Sequence, residues 1–302
     1  DGTRKWLLKL APDERGARLP PPSRITAVTA WGSIVTPDSP EAQKVAKALA
    51  TPPEWSIRRL VTADWSSAVI ALIVVVGIVG AFHPNFLAPG QLINVVQSSV
   101  YAALIAAGLV FLIPQNEIDL SVGGNYVLTG IVAALLMRAG MPPVFAIIIS
   151  LGVAMGVGLL NAFTSQVIGI PSLIGTLAMS WMLRGLALAL AGGTQVTGVP
   201  LSDPILAVLG GGRVLGIPVS IILLIVVGIV LTLVMRNTPF GYRVREIGSN
   251  PDAAAFSGIP VRRTRTIGFV LAGFMAGLAG IVALAFFTVG DPQSGGGIEL
   301  FA

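Results

Sequence analysis

The stretch Ile247-Gly248-Ser249-Asn250-Pro251-Asp252-Ala253-Ala254-Ala255-Phe256-Ser257-Gly258-Ile259 is a short polar helix set between two long apolar segments. Asn250 suits an N-cap, Pro251 the first helical position, and Asp252 the anion-favouring end of the helix dipole. Ala253 to Ala255 are strong helix formers, and Gly258 is placed to end the helix in the left-handed conformation. A helix this short is marginal alone in water. A partner protein is the natural support for it, and a membrane on either side is the natural home for its neighbours.

The composition carries the same message outward. The 302 residues are 54% hydrophobic and 11% charged, with a mean hydropathy of +0.85. A soluble domain holds roughly 25% charged residues. Here the charges crowd into residues 1–64 and 236–265, and the sequence between them is apolar enough for repeated bilayer crossings at about 20 residues each. The reading is an all-α, polytopic membrane helical bundle. Seven spans are expected, at about 66–82, 92–113, 122–137, 143–163, 171–191, 214–235 and 266–289. Residues 192–213 are expected to be a loop.

Residues 1–65 form a separate block, a loosely ordered N-terminal extension. Pro20 to Pro22, Pro37, Pro40, Pro52 and Pro53 interrupt every long helix there. The chain starts without Met and stops at Ala302 without a polar tail, so both ends are expected to be cut. Arg236, Arg243, Arg245, Arg262, Arg263 and Arg265 follow the sixth span, and Arg58 and Arg59 precede the first. Over seven crossings both groups fall on one side, which the positive-inside rule makes cytoplasmic, N-terminus included. The net charge of +5 and pI of about 10.1 then report cytoplasmic loops and lipid contact, not nucleic acid. Gly152 and Gly156, and Gly273 and Gly277, are GxxxG pairs expected to pack helices within the chain.

Several chemistries are excluded. With no cysteine there are no disulfides or thiolate ligands, and one histidine, His83, builds no multi-histidine metal site. No phosphate-binding G-x-x-x-x-G-K-[ST] loop and no HExxH helix occurs. No enzyme is expected, no metal, and no cofactor bound by this chain. What remains is intramembrane polarity: Gln115, Glu117, Asp119, Ser121 and Asn125 around the break between the second and third spans, and Arg184 inside the fifth. Ionisable groups at such depth face protein or a cavity. Glu117, Asp119, Ser121, Asn125 and Arg184 form a candidate pathway or gate; alternatively, Arg184 only neutralises Asp119 or Glu117.

At these residues the sequence resembles a known family. Ile118-Asp119-Leu120-Ser121-Val122-Gly123, preceded by Glu117, is similar to the IDLSVG signature of ribose- and xylose-type ABC sugar permeases. Ile170 to Leu177, Arg184-Gly185, Thr238 to Arg243, Ile247 to Ala254, and Gly297 to Leu300 resemble further family segments in the family's order. The resemblance covers about residues 66–302. It implies the permease subunit of a bacterial inner-membrane importer for a monosaccharide, a pentose such as xylose or ribose being favoured. It implies an ABC ATPase subunit that hydrolyses the ATP, a second permease subunit that is expected to be a copy of this chain, and a periplasmic sugar-binding protein. The Gly248, Asn250, Pro251, Asp252, Ala253, Ala254, Phe256, Ser257 and Gly258 set then corresponds to the coupling helix. Where the family has Arg and Leu, this chain has Ala255 and Phe256, an aromatic anchor in place of a charge. The family continues with further helices, so the C-terminal end is expected to be incomplete. Two other readings stay open: an ion-coupled secondary transporter using Glu117, Asp119 and Arg184, and an inactive membrane fragment.

Overall fold

The computed structural model describes residues 66–200 and 202–301, with residues 27–28 and 34–35. The remainder of the N-terminal extension, including Trp65, lies outside the described residues. The chain divides into two units, Asp1–Phe82 and His83–Ala302. In the first, β1 (Ala27–Val28) pairs antiparallel with β2 (Ile34–Val35). Helix α1 (Ser66–Phe82) follows, and most of its apolar residues from Val69 on are exposed, Leu72 and Ile73 by more than half, with Val76 and Val79 partly covered. A helix apolar all round belongs in protein core or in lipid.

The second unit is mainly helical, and its described residues add one two-residue ladder and one isolated bridge, Val196 with Gly290. In order come α2 (Pro89–Leu109), α3 (Val122–Arg138), α4 (Pro143–Phe163), α5 (Ser172–Leu190), α6 (Pro204–Gly211), β3 (Arg213–Val214) with β4 (Ile217–Pro218), and α7 (Val219–Asn237). Then follow α8 (Pro239–Ser249), α9 (Pro251–Phe256), α10 (Val261–Phe287) and α11 (Ile298–Phe301). Among the described residues, five helical stretches are long and apolar enough to cross a membrane: Pro89–Gln115, Pro143–Ile168, Ser172–Leu190, Val219–Asn237 and Val261–Phe287. The expected seven therefore include two shorter helices. α1 and α3 have 17 residues each. At 1.5 Å per residue that is roughly 26 Å, just under the hydrocarbon thickness of about 30 Å.

α10 is the axis of the bundle, packed against α4, α3 and α2. Of its most apolar window 72% is buried, against 6% for α7, which lies at the periphery. Small residues let the helices touch. A Cβ on Gly273 would lie 2.5 Å from the Ala154 carbonyl oxygen, and one on Gly158 would lie 2.3 Å from that of Phe269. Such backbone approach replaces the hydrophobic drive that lipid does not supply. The expectation for glycine pairs is thus met by Gly273 and Gly277 only. Gly152 and Gly156 are exposed with nothing near them, and α4 meets α10 through Ala154 and Gly158 instead.

Three features depart from the expected spans and loops. The segment 192–213 contains α6, whose start is a cap: the Asp203 carboxylate accepts from the Ile205 N–H at 2.9 Å, with Pro204 in the first turn. α7 begins at Val219 and not near 214, because residues 213–218 turn back on themselves as β3–β4. α8 was also hidden. Thr238 caps it, and Gly241, Val244 and Ile247 form its buried stripe.

Candidate functional site

α9 is built as its residues demand. The Asn250 side chain accepts from both the Asp252 and Ala253 N–H groups, at 3.1 and 3.0 Å, which satisfies two otherwise orphaned donors. Gly258 has φ +81°, a left-handed exit. Ala254 is buried beneath the helix, while Phe256 is 94% exposed at its tip. A large aromatic held in water on a short capped helix is the kind of anchor that fills a partner's pocket.

The polar break lies at this same, Arg-rich end. Gly248 sits against Pro114, whose carbonyl oxygen would be 2.2 Å from any Cβ there. Arg265, from the first turns of α10, donates to the Gln115 carbonyl at 3.2 Å and pairs with Glu117 at 3.1 Å. Gln166 and Ser165 also donate to Glu117, at 2.9 and 3.2 Å. The strand-like residues after Glu117 are held by α5: the Ile118 and Leu120 N–H groups donate to Ser172 and Thr176 at 3.2 and 3.0 Å. An open cavity of about 1080 Å³ is lined by Glu117, Gln166, Pro251, Asp252, Arg262 and Arg265, so α9 and the break share one concave surface.

Asp119 is buried and has no cationic partner among the described residues. Its carboxylate accepts from the Ser121 N–H and hydroxyl at 2.8 and 2.6 Å, and from the Asn161 amide at 3.3 Å. Burial pushes its carboxyl above the ordinary carboxylate value, although the Ser121 and Asn161 hydrogen bonds oppose the shift.

The candidate set therefore divides into three. Glu117, Asp119 and Ser121 stand together. Asn125 joins three helices, donating to the carbonyls of Ala154 at 3.1 Å and Gly273 at 3.2 Å. Arg184 pairs with neither Asp119 nor Glu117. It donates to Glu299 at 2.8 Å and to the Gly295 carbonyl at 2.9 Å. The ion-coupling trio considered from the sequence is not assembled. Sequence reading missed Asn161, Arg265 and Glu299 as partners. Arg265 was visible only as loop charge, and Asn161 only as a lone polar residue in a span.

A bundle of apolar helices closed around one axis, with a capped helix offered at its Arg-rich end, has the construction of a membrane transport subunit. Residues 91–302 match the family described as branched-chain amino acid transport system, permease component, and the chain belongs to that family. It is similar to the ribose import permease protein RbsC of Escherichia coli K12, 31% identical over 249 residues that cover 81% of this chain and 78% of the relative. It is also similar to the L-arabinose ABC transporter permease protein AraH of Azospirillum brasilense, 33% identical over 78% of this chain and 68% of that protein. RbsC of Bacillus subtilis is 33% identical over 77% and 72%. No solved structure gives a significant match. The chain is a multi-pass membrane permease, a transport subunit and not an enzyme, whose ATPase is a separate subunit.

Proposed function

We propose that this permease forms the path for a monosaccharide across a bacterial inner membrane, with α9 seated on the ATPase. In this reading the chain crosses seven times, the Arg-rich end and the N-terminus are cytoplasmic, and residues 1–65 precede the permease domain of residues 66–302. Two copies enclose the path, and a periplasmic binding protein delivers the sugar at the far end. The relatives named for ribose, L-arabinose and D-allose support a sugar as cargo over an amino acid.

The observation that carries the reading is Phe256, 94% exposed on a helix capped at both ends. Movement of α9 has two rigid routes inward. α8, joined to it by Asn250, presses Gly248 on Pro114 at the start of the break. α10, which follows it, grips Glu117 through Arg265. A shift of α9 then moves the Glu117–Asp119–Ser121 stretch, the proposed cytoplasmic gate. Asn125 and Arg184 serve the same path by fixing the helices around it. ATP-driven uptake of radiolabelled D-ribose, L-arabinose and D-allose into proteoliposomes holding permease, ATPase and binding protein tests this. Sugar accumulation that needs ATP is expected, and accumulation of L-leucine alone would reject the cargo.

A further inference from the structure

At the end of the bundle opposite α9, a second cavity of about 240 Å³ opens between α3 and α10 beneath residues 289–294. Its floor is buried Tyr126, Ile131 and Leu284. At its rim stand Gln195, Phe287, Asp291 and Ser294. The rim is fixed by an antiparallel bridge: the Val196 N–H donates to the Gly290 carbonyl at 2.8 Å, and the Gly290 N–H to Val196 at 2.9 Å. Gln195 donates to the Asp291 carboxylate at 3.3 Å, and the Gln293 N–H donates to its other oxygen at 2.9 Å. Tyr126, Asp291 and Ser294 line the same cavity. The Phe287 ring is braced edge-on by Phe286, with centroids 5.1 Å apart, and by Tyr101 at 5.9 Å.

Apolar walls with a few placed polar groups are what a small-molecule site requires. The volume equals the liquid share of about eight waters. Covalently bonded atoms pack more closely than waters, so a single sugar ring fits. Among the described lining residues Asp291 is the one charged side chain. The ammonium of an amino acid would pair with it, but the carboxylate of that amino acid would find no cation in the lining, which is costly out of water. A neutral polyol has no carboxylate to strand. Its hydroxyls donate to Asp291 and exchange hydrogen bonds with Gln195, Ser294 and Tyr126, while its C–H face lies on the Phe287 ring, whose face is electron-rich.

We infer that this cavity is a monosaccharide subsite of the permease itself, with Asp291, Gln195 and Tyr126 reading the sugar hydroxyls; the inference rests on the sugar reading above. The test is the maximal uptake rate of D-ribose, L-arabinose, D-allose and L-leucine by the complete reconstituted transporter, as wild type, Asp291→Asn and Tyr126→Phe. Both variants are near-isosteric, and unchanged melting temperature with monodisperse elution establishes that they fold. Asp291→Asn is expected to lower sugar uptake about tenfold, the loss of a charge-assisted hydrogen bond, and both variants are expected to change the order of preference among the three sugars. Wild-type sugar uptake with both variants unaltered, or slowed with the order unchanged, overturns the subsite and leaves the sugar reading standing. Wild-type uptake of leucine and of no sugar overturns both.

Discussion

Gly248 shows how much a single residue carries at this site. Any side chain there meets the Pro114 carbonyl oxygen at 2.2 Å, and the obstruction is backbone, so α8 or the break must move. Gly248→Ala is expected to cost about 1–3 kcal/mol of stability, as overpacking does, and to slow uptake; a melting curve and an uptake assay check both. Arg184 and Glu299 are 18% and 17% exposed, a mostly buried pair. Breaking such a pair from one side strands a charge, so Arg184→Gln and Glu299→Gln should each lower the yield of folded protein, and the double variant should recover it. An equal loss in the double variant would show that the two do not act as a pair. Asp119 supplies a pH test. Its carboxyl is raised in the folded protein, so the folded state binds more protons than the unfolded chain between the ordinary value and the raised one. Stability relative to Asp119→Asn should therefore increase as pH falls from 7 towards the unperturbed value near 4, as read from paired melting curves. A flat difference would place that carboxylate in water.

At the scale of the element, α9 was legible in full because every signal is local: the cap at Asn250, the proline after it and the glycine exit are consecutive in sequence. α6 and α8 follow the same rules yet went unread. Asp203-Pro204 and Thr238-Pro239 are cap signals of the same kind, but eight residues in one case and a run holding two arginines in the other look like loop when apolar spans are being sought. The partners of the break were illegible for a different reason. Arg265 is 148 residues from Glu117, and Asn161 is 42 from Asp119. No local pattern encodes contacts of that range. For α9 itself, Phe256→Ala should weaken ATPase association by about 2 kcal/mol, roughly 30-fold, as truncation of an anchor does. Unchanged binding in a titration of purified ATPase onto the permease in nanodiscs would remove α9 from the interface.

For the molecule as a whole, apolar segmentation and arginine asymmetry were enough to read a multi-pass helical bundle. The bounds of two short spans were legible as well: 66–82 and 122–137 were expected, and α1 and α3 run Ser66–Phe82 and Val122–Arg138, α3 ending where Ala139-Gly140 turns the chain. The bundle also explains which glycines matter. Those facing α10 admit a neighbouring backbone, whereas Gly152 and Gly156 face outward, a distinction that spacing cannot make. One measurement reaches the central claim, that ATP hydrolysis by a separate subunit drives a monosaccharide through this chain by way of α9. It is the accumulation of D-ribose, L-arabinose and D-allose in proteoliposomes carrying permease, ATPase and binding protein, with and without ATP, for wild type and Phe256→Ala. The account predicts accumulation of at least one sugar by wild type with ATP, none without it, and a large loss in the variant. Accumulation independent of ATP, or undiminished by Phe256→Ala, would contradict it.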